Sequence, residues 1–196
     1  MSERRRLSGR TILALLAVAA VVVVGVAAVV TVAAIRNAPK QAPELTAYAH
    51  GTTVDVTPFA YCAKTMRDCR VLPQSATDIA GTVFEGLPCE SSGCEKGRTV
   101  SLEVPTGYPL QLSLPAQIVD APWVAQILYA TEDNQLVPAE LSYNKYPKGT
   151  RAITIDSQPV PELRLIGVEL QLLIPARDET GREFYVPHAA WSINAM

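Results

Sequence analysis

LRLIGVELQLLI, residues 163–174, is the stretch on which the fold turns. Twelve residues are long enough for a helix, and an apolar run alone does not separate a buried helix from a buried strand. Two features choose the strand. Ile166, Val168 and Ile174 are β-branched, which suits a pleated surface better than a helical turn. Pro161 and Pro175 stand on either side and close the run. With this run as the strongest strand, the domain around it is mainly β.

The neighbours agree. Downstream, Asp178-Glu179-Thr180-Gly181 reads as a tight turn, and Glu183–Val186 with Ala190–Ile193 as a final strand interrupted by Pro187. Upstream lie a strand at Arg151–Ile155, a basic loop at Lys145–Gly149, and a weaker strand at Leu136–Tyr143 after the turn Glu132-Asp133-Asn134. Trp123–Ala130 is a further strand. Its set Trp123, Ala125, Ile127 and Tyr129 is continuous and apolar and should face the interior, with Gln126 on the solvent side. Leu110, Leu112 and Leu114 alternate with polar residues, as do Val100, Leu102 and Val104 within Arg98–Val104. Leu45–Ala49 and Thr53–Val56 form a hairpin around Gly51. Helical periodicity is weak and confined to Ser75–Ala80. Short strands with frequent turn signals mean a sandwich or a barrel. The strands at 99–104, 110–114, 123–129 and 151–155, and the hairpin of 163–174 with 183–193, map onto an immunoglobulin-like β-sandwich. The cysteine pair that usually flanks the buried tryptophan is absent, so the likeness is one of architecture.

At the other end, Thr11–Ile35 (TILALLAVAAVVVVGVAAVVTVAAI) carries no charge over 25 residues. A helix of that length is about 37 Å long, more than the roughly 30 Å of a bilayer's hydrocarbon core. Arg4, Arg5, Arg6 and Arg10 precede it, and only Arg36 and Lys40 follow closely, which orients the N-terminal side toward the cytoplasm. The rival is a cleaved signal peptide, with Val32-Ala33-Ala34 as a weak cleavage site, but the apolar run exceeds the roughly 7–15 residues usual there. The first cysteine is Cys62, too far on for a lipoprotein. The expected organisation is a cytoplasmic segment 1–10, one transmembrane helix 11–35, a linker 36–43 containing NAPKQAP, and an extracytoplasmic β-sandwich domain 44–196.

Setting aside Arg4, Arg5, Arg6, Arg10, Arg36 and Glu3 leaves 12 basic against 18 acidic residues, a net of −6. That argues against nucleic acid as a partner. The four cysteines, Cys62, Cys69, Cys89 and Cys94, lie in turn-rich segments, and outside the cytoplasm an even count implies disulfides. Of three pairings, nearest neighbours give Cys62–Cys69 and Cys89–Cys94. The spacing does not suit zinc, and His50 and His188, the only histidines, read as surface or rim residues. No G-x-S-x-G elbow and no phosphate loop occurs. The carboxylates Asp55, Asp68, Asp78 and Glu85 could serve a glycosidase only as a facing pair, and a solvated surface explains them as well. Tyr108, Trp123, Tyr129, Tyr143, Tyr146 and Trp191 could stack on a glycan or line a lipid groove, although Trp123 and Trp191 are the natural core fillers. Ser142–Arg151 (SYNKYPKGTR) is the first choice for a contact surface, through Tyr143, Lys145, Tyr146, Lys148 and Arg151.

The Arg-rich start, the single span, the N-A-P linker, TAYAHGTTVDVTPFAYC (46–62), Cys69, VSLEVPTGYPLQLSLP (100–115), APW (121–123) and the terminal AAWSI (189–193) together resemble a group of uncharacterised actinobacterial membrane-anchored proteins. The resemblance covers nearly the whole chain. It implies an envelope location and brings no established activity or catalytic residues. The expected function is therefore a non-enzymatic accessory or scaffold subunit in the cell envelope. It would be held to the membrane by one span, bind a membrane or envelope partner protein, and need neither cofactor nor metal. The alternative is a binding module for cell-wall glycan or envelope lipid.

Overall fold

The computed structural model describes residues 9–37, 42–67, 69–72 and 95–196. The expected Cys89–Cys94 bridge, the helical signal at Ser75–Ala80 and the carboxylates Asp68, Asp78 and Glu85 lie outside the described residues. The chain divides into two compact units, Met1–Gln41 and Ala42–Met196.

The first unit contains one helix, α1, over Gly9–Asn37. Within it Val18–Ile35 is long and apolar enough to cross a membrane. Thr31, a polar side chain in this run, donates its hydroxyl to the carbonyl of Ala27 at 2.7 Å. That internal bond is what an apolar surrounding requires of a hydroxyl.

Among the described residues the second unit is built from β1 (Leu45–Ala49), β2 (Thr52–Val56), β3 (Ala60–Tyr61), β4 (Val71–Leu72), β5 (Glu95–Lys96), β6 (Val100–Ser101), β7 (Leu110–Ser113), a short helix α2 (Ala116–Val119), β8 (Trp123–Ala130), β9 (Leu136–Ser142), β10 (Ala152–Ile155), β11 (Arg164–Arg177) and β12 (Glu183–Asn194). β10-β7-β1-β2 form a small antiparallel sheet. The larger sheet runs β5-β4-β3-β12-β11-β8-β9, and β6 joins β12 beside β3. The two sheets share one core. Leu45, Ala47, Leu110, Leu112, Ile153 and Ile155 enter it from the small sheet; Trp123, Ile127, Leu170, Leu172, Trp191 and Ile193 enter from the large one. Period-two alternation is therefore the fold's main instruction, and β8 obeys it fully. Trp123, Ala125, Ile127 and Tyr129 are buried while Val124, Gln126 and Leu128 are half-buried on the other face. The Tyr129 hydroxyl donates to the Asp156 carbonyl at 2.8 Å, and the indole N–H of Trp191 to that of Pro43 at 2.9 Å. Each large side chain thus keeps its one polar atom satisfied.

Three expectations are corrected. β11 does not stop at Pro175 but runs to Arg177, with Pro175 opposite Tyr185. The pairing of β11 with β8 ends at Leu172, so beyond it one side of β11 has no ladder to feed, and a residue lacking an N–H is tolerated there. β12 likewise is continuous through Pro187. The extra residue His188 forms a bulge between the pairs Leu173–Pro187 and Leu172–Ala189, so the proline shifts the register instead of ending the strand. Finally, the alternating run 99–104 is a strand only at Val100–Ser101, lying parallel to β12. Leu102 and Val104 are still buried, but their N–H groups follow the chain's end, donating to Asn194 at 2.9 Å and Ala195 at 3.3 Å. The turn after this segment is held by Gly107, whose φ of 84° closes Pro105–Tyr108. Buried Ser157 pins it, accepting from the Gly107 N–H at 3.0 Å and donating to the Pro105 carbonyl at 3.2 Å.

Candidate binding site

The cysteines and histidines reduce to structure where they are described. Cys62 and Cys69 are disulfide-bonded. His188 is buried, not on the surface as expected. Its Nδ1 donates to the Cys62 carbonyl at 2.9 Å, and the Cys62 N–H donates to the His188 carbonyl at 2.8 Å. The bulge in β12 and the disulfide loop therefore clasp each other. His50 sits at the β1–β2 turn with its ring 4.1 Å from that of Tyr108. Among the described residues no group of three His, Cys, Asp or Glu is placed to hold a metal ion.

Of the five loop residues expected to form a contact surface, Tyr143 and Lys145 lie on a single 3₁₀ turn, and Tyr143, Lys145, Lys148 and Arg151 are exposed. Tyr146 turns inward. Its ring lies 5.7 Å from that of Trp123, against the core.

The feature that sequence reading missed is on the outer face of the large sheet. Strand register lines up one polar row across it: Ser192 is opposite Glu169, Glu169 is opposite Gln126, and Gln126 is opposite Glu140. Thr99 extends the row, donating its hydroxyl to Ser192 Oγ at 3.3 Å. The next row along the strands is Ser101, Asn194, Gly167, Leu128 and Pro138. Gly167 has no side chain, and it sits beside a second bulge that inserts Ile166 between Leu165 and Gly167. The absent side chain opens the floor of a pocket of about 450 Å³. Its lining includes Thr99, Gln126, Leu128, Pro138, Ile166, Glu169, Ser192, Asn194 and Met196.

Glu169 is the chemical centre of this depression. It is 5% exposed, with Gln171 at 7% and Ser192 at 2%. Gln171 Nε2 donates to Glu169 Oε1 at 2.7 Å, and Gln126 Nε2 donates to Glu140 Oε2 at 3.2 Å. Burial raises the Glu169 carboxyl above the ordinary range, and the Gln171 hydrogen bond partly offsets this. Among the described residues no lysine or arginine lines the pocket. The local signal was a charged residue in the middle of the strongest apolar strand, but its neighbours come from positions 99, 126, 140 and 192. What the arrangement can do is bind: a mostly apolar concavity with a few convergent polar groups has the size and lining of a small-molecule site.

Proteins of Mycobacterium tuberculosis (strain ATCC 25618 / H37Rv) and Mycobacterium bovis (strain ATCC BAA-935 / AF2122/97), both described as uncharacterised, are similar to this chain. Each is 32% identical over 164 residues, covering 83% of this chain and 83% of the relative. No solved structure matches it significantly. The profile of the family described as "Protein of unknown function (DUF2771)" matches residues 38–196, and the chain belongs to that family.

Proposed function

We propose that this protein is a membrane-anchored, extracytoplasmic binding module of the actinobacterial cell envelope, non-enzymatic, whose pocket on the outer face of the large sheet takes a small envelope molecule. The observation that carries this reading is the pocket itself, with Glu169 buried at its centre and no cationic side chain among its described lining residues. Of its other polar groups Thr99 is tied to Ser192, and Gln126 to Glu140 beside the pocket, an arrangement that favours recognition over reaction. The apolar helix α1 supports the anchor, and the similarity to mycobacterial proteins supports the actinobacterial setting. We read the sandwich as immunoglobulin-like in architecture, supported by Trp123 on the core face of β8 and by the terminal hairpin β11–β12.

A second reading keeps a partner protein. Among the described strands β9 ends the large sheet, and the exposed Tyr143, Lys145, Lys148 and Arg151 follow it directly, so that edge adjoins a basic, tyrosine-bearing loop. Purification of the full chain from detergent-solubilised membranes separates the two. Co-purifying lipid or glycan, detected by mass spectrometry and lost in a pocket-filling Leu128→Trp variant, supports the pocket. A stoichiometric membrane protein retained by that variant, with no small molecule, replaces it with the scaffold reading.

A further inference from the structure

Resting on the pocket reading above, we infer that the outer-face pocket selects a small amphipathic primary amine, its ammonium paired with Glu169 and its apolar part lying over Leu128, Pro138 and Ile166. The argument begins with an unbalanced charge. Glu169 is more than nine-tenths buried and lines the pocket, and only its Oε1 is engaged, by the neutral amide of Gln171. Oε2 has no protein partner, and it is not sealed away, since no buried side-chain oxygen among the described residues lacks a hydrogen bond. It therefore opens on the pocket. The ion pairs Arg177–Glu183 and Arg182–Asp178 lie elsewhere on exposed surface, and among the described residues that line the pocket no side chain supplies a cation.

A buried carboxylate without a counter-charge is costly, and a ligand that brings a cation or strong donors removes that cost. The lining decides among such ligands. An anion meets the Glu169 charge and is rejected. A hard divalent ion needs about six oxygen ligands, and the described residues assemble no cluster of acidic side chains. A quaternary ammonium is recognised by aromatic faces, and none lines this pocket among the described residues. A primary ammonium donates three hydrogen bonds, which Glu169 Oε2 and nearby acceptors such as Ser192 can take. The apolar share of the wall leaves the rest of the ligand hydrocarbon-like.

The test compares 3-methylbutylamine with 3-methylbutanol, the same skeleton with and without the charge, by isothermal titration on the full chain in nanodiscs at pH 7.5. We expect the amine to bind at least tenfold more tightly. Glu169→Gln should abolish the preference, and Glu169→Asp, which keeps the charge, should retain part of it. Equal affinities in the wild type overturn the inference without needing any variant. If both compounds bind and Leu128→Trp removes both, the pocket stands and the amine selectivity falls. If neither binds, the amine assignment falls, and the pocket is judged on the co-purification above.

Discussion

Trp123 shows what a single residue does in this sandwich. It is 2% exposed and belongs to the core shared by both sheets, with the Tyr146 ring packed on it. Removing it leaves a void between elements that cannot collapse independently. Trp123→Ala should therefore cost about 3–5 kcal/mol, a large share of the roughly 5–15 kcal/mol that holds a domain folded. Thermal unfolding of the full chain in detergent measures it, and an unchanged midpoint would remove Trp123 from the core. Glu169 predicts the opposite sign. Its carboxyl is raised in the folded state, so between its ordinary value near 4.5 and the raised one the folded protein holds more proton than the unfolded chain. The stability it contributes is full below 4.5 and is lost as pH rises through the folded value. Glu169→Gln, neutral at every pH, should melt higher than wild type at pH 7.5 and converge with it below pH 4.5. A lower midpoint for the variant at pH 7.5 would mean that the carboxylate is stabilised by a partner.

At the scale of elements, the disulfide loop and the β12 bulge act as one device. Cys62 and Cys69, seven residues apart, close a small loop whose first residue exchanges two hydrogen bonds with His188. Replacing both cysteines by serine should cost about 2–3 kcal/mol through the freed unfolded chain, read as a lower thermal midpoint. Non-reducing peptide mapping tests the second pair, where we expect Cys89–Cys94; a crossed linkage contradicts it. Elements were legible in the sequence where alternation was sustained. β1, β7 and β8 each bury one side of a regular pattern, and their bounds follow from it. Two-residue strands such as β3 and β4 are too short to carry a period. Pro175 and Pro187 misled because a proline's cost depends on whether a neighbouring strand needs its N–H, a tertiary fact. The pocket was illegible for the same reason. Thr99, Gln126, Glu169 and Ser192 become neighbours only through the register of paired strands; the one local signal, a charge at Glu169 within an apolar run, was passed over in the sequence reading.

For the whole molecule the deciding question is whether α1 stays attached to the β unit. If it does, the pocket works at a membrane surface and at the high local concentration that a tether imposes; if it is removed, the domain diffuses freely. The helix spans Gly9–Asn37, about 43 Å at 1.5 Å per residue, which exceeds the roughly 30 Å hydrocarbon core of a bilayer. A signal peptide's apolar stretch is about half that length. Arginines cluster on the N-terminal side, at Arg4, Arg5, Arg6 and Arg10, against Arg36 and Lys40 beyond the run. In the proposed reading that asymmetry would hold the N-terminal side in the cytoplasm and pass the β unit outward, a compartment in which a bond such as Cys62–Cys69 is stable. We expect the full-length chain to remain in the membrane fraction after carbonate extraction. A tag before Ser2 should be protected from protease in intact cells, while the β unit is cleaved from outside. N-terminal sequencing of the mature protein is the decisive measurement. A sequence beginning after Ala34 would show that the helix is cleaved as a signal and would release the pocket from the membrane; a sequence that still contains Thr11–Ile35 makes it an anchor.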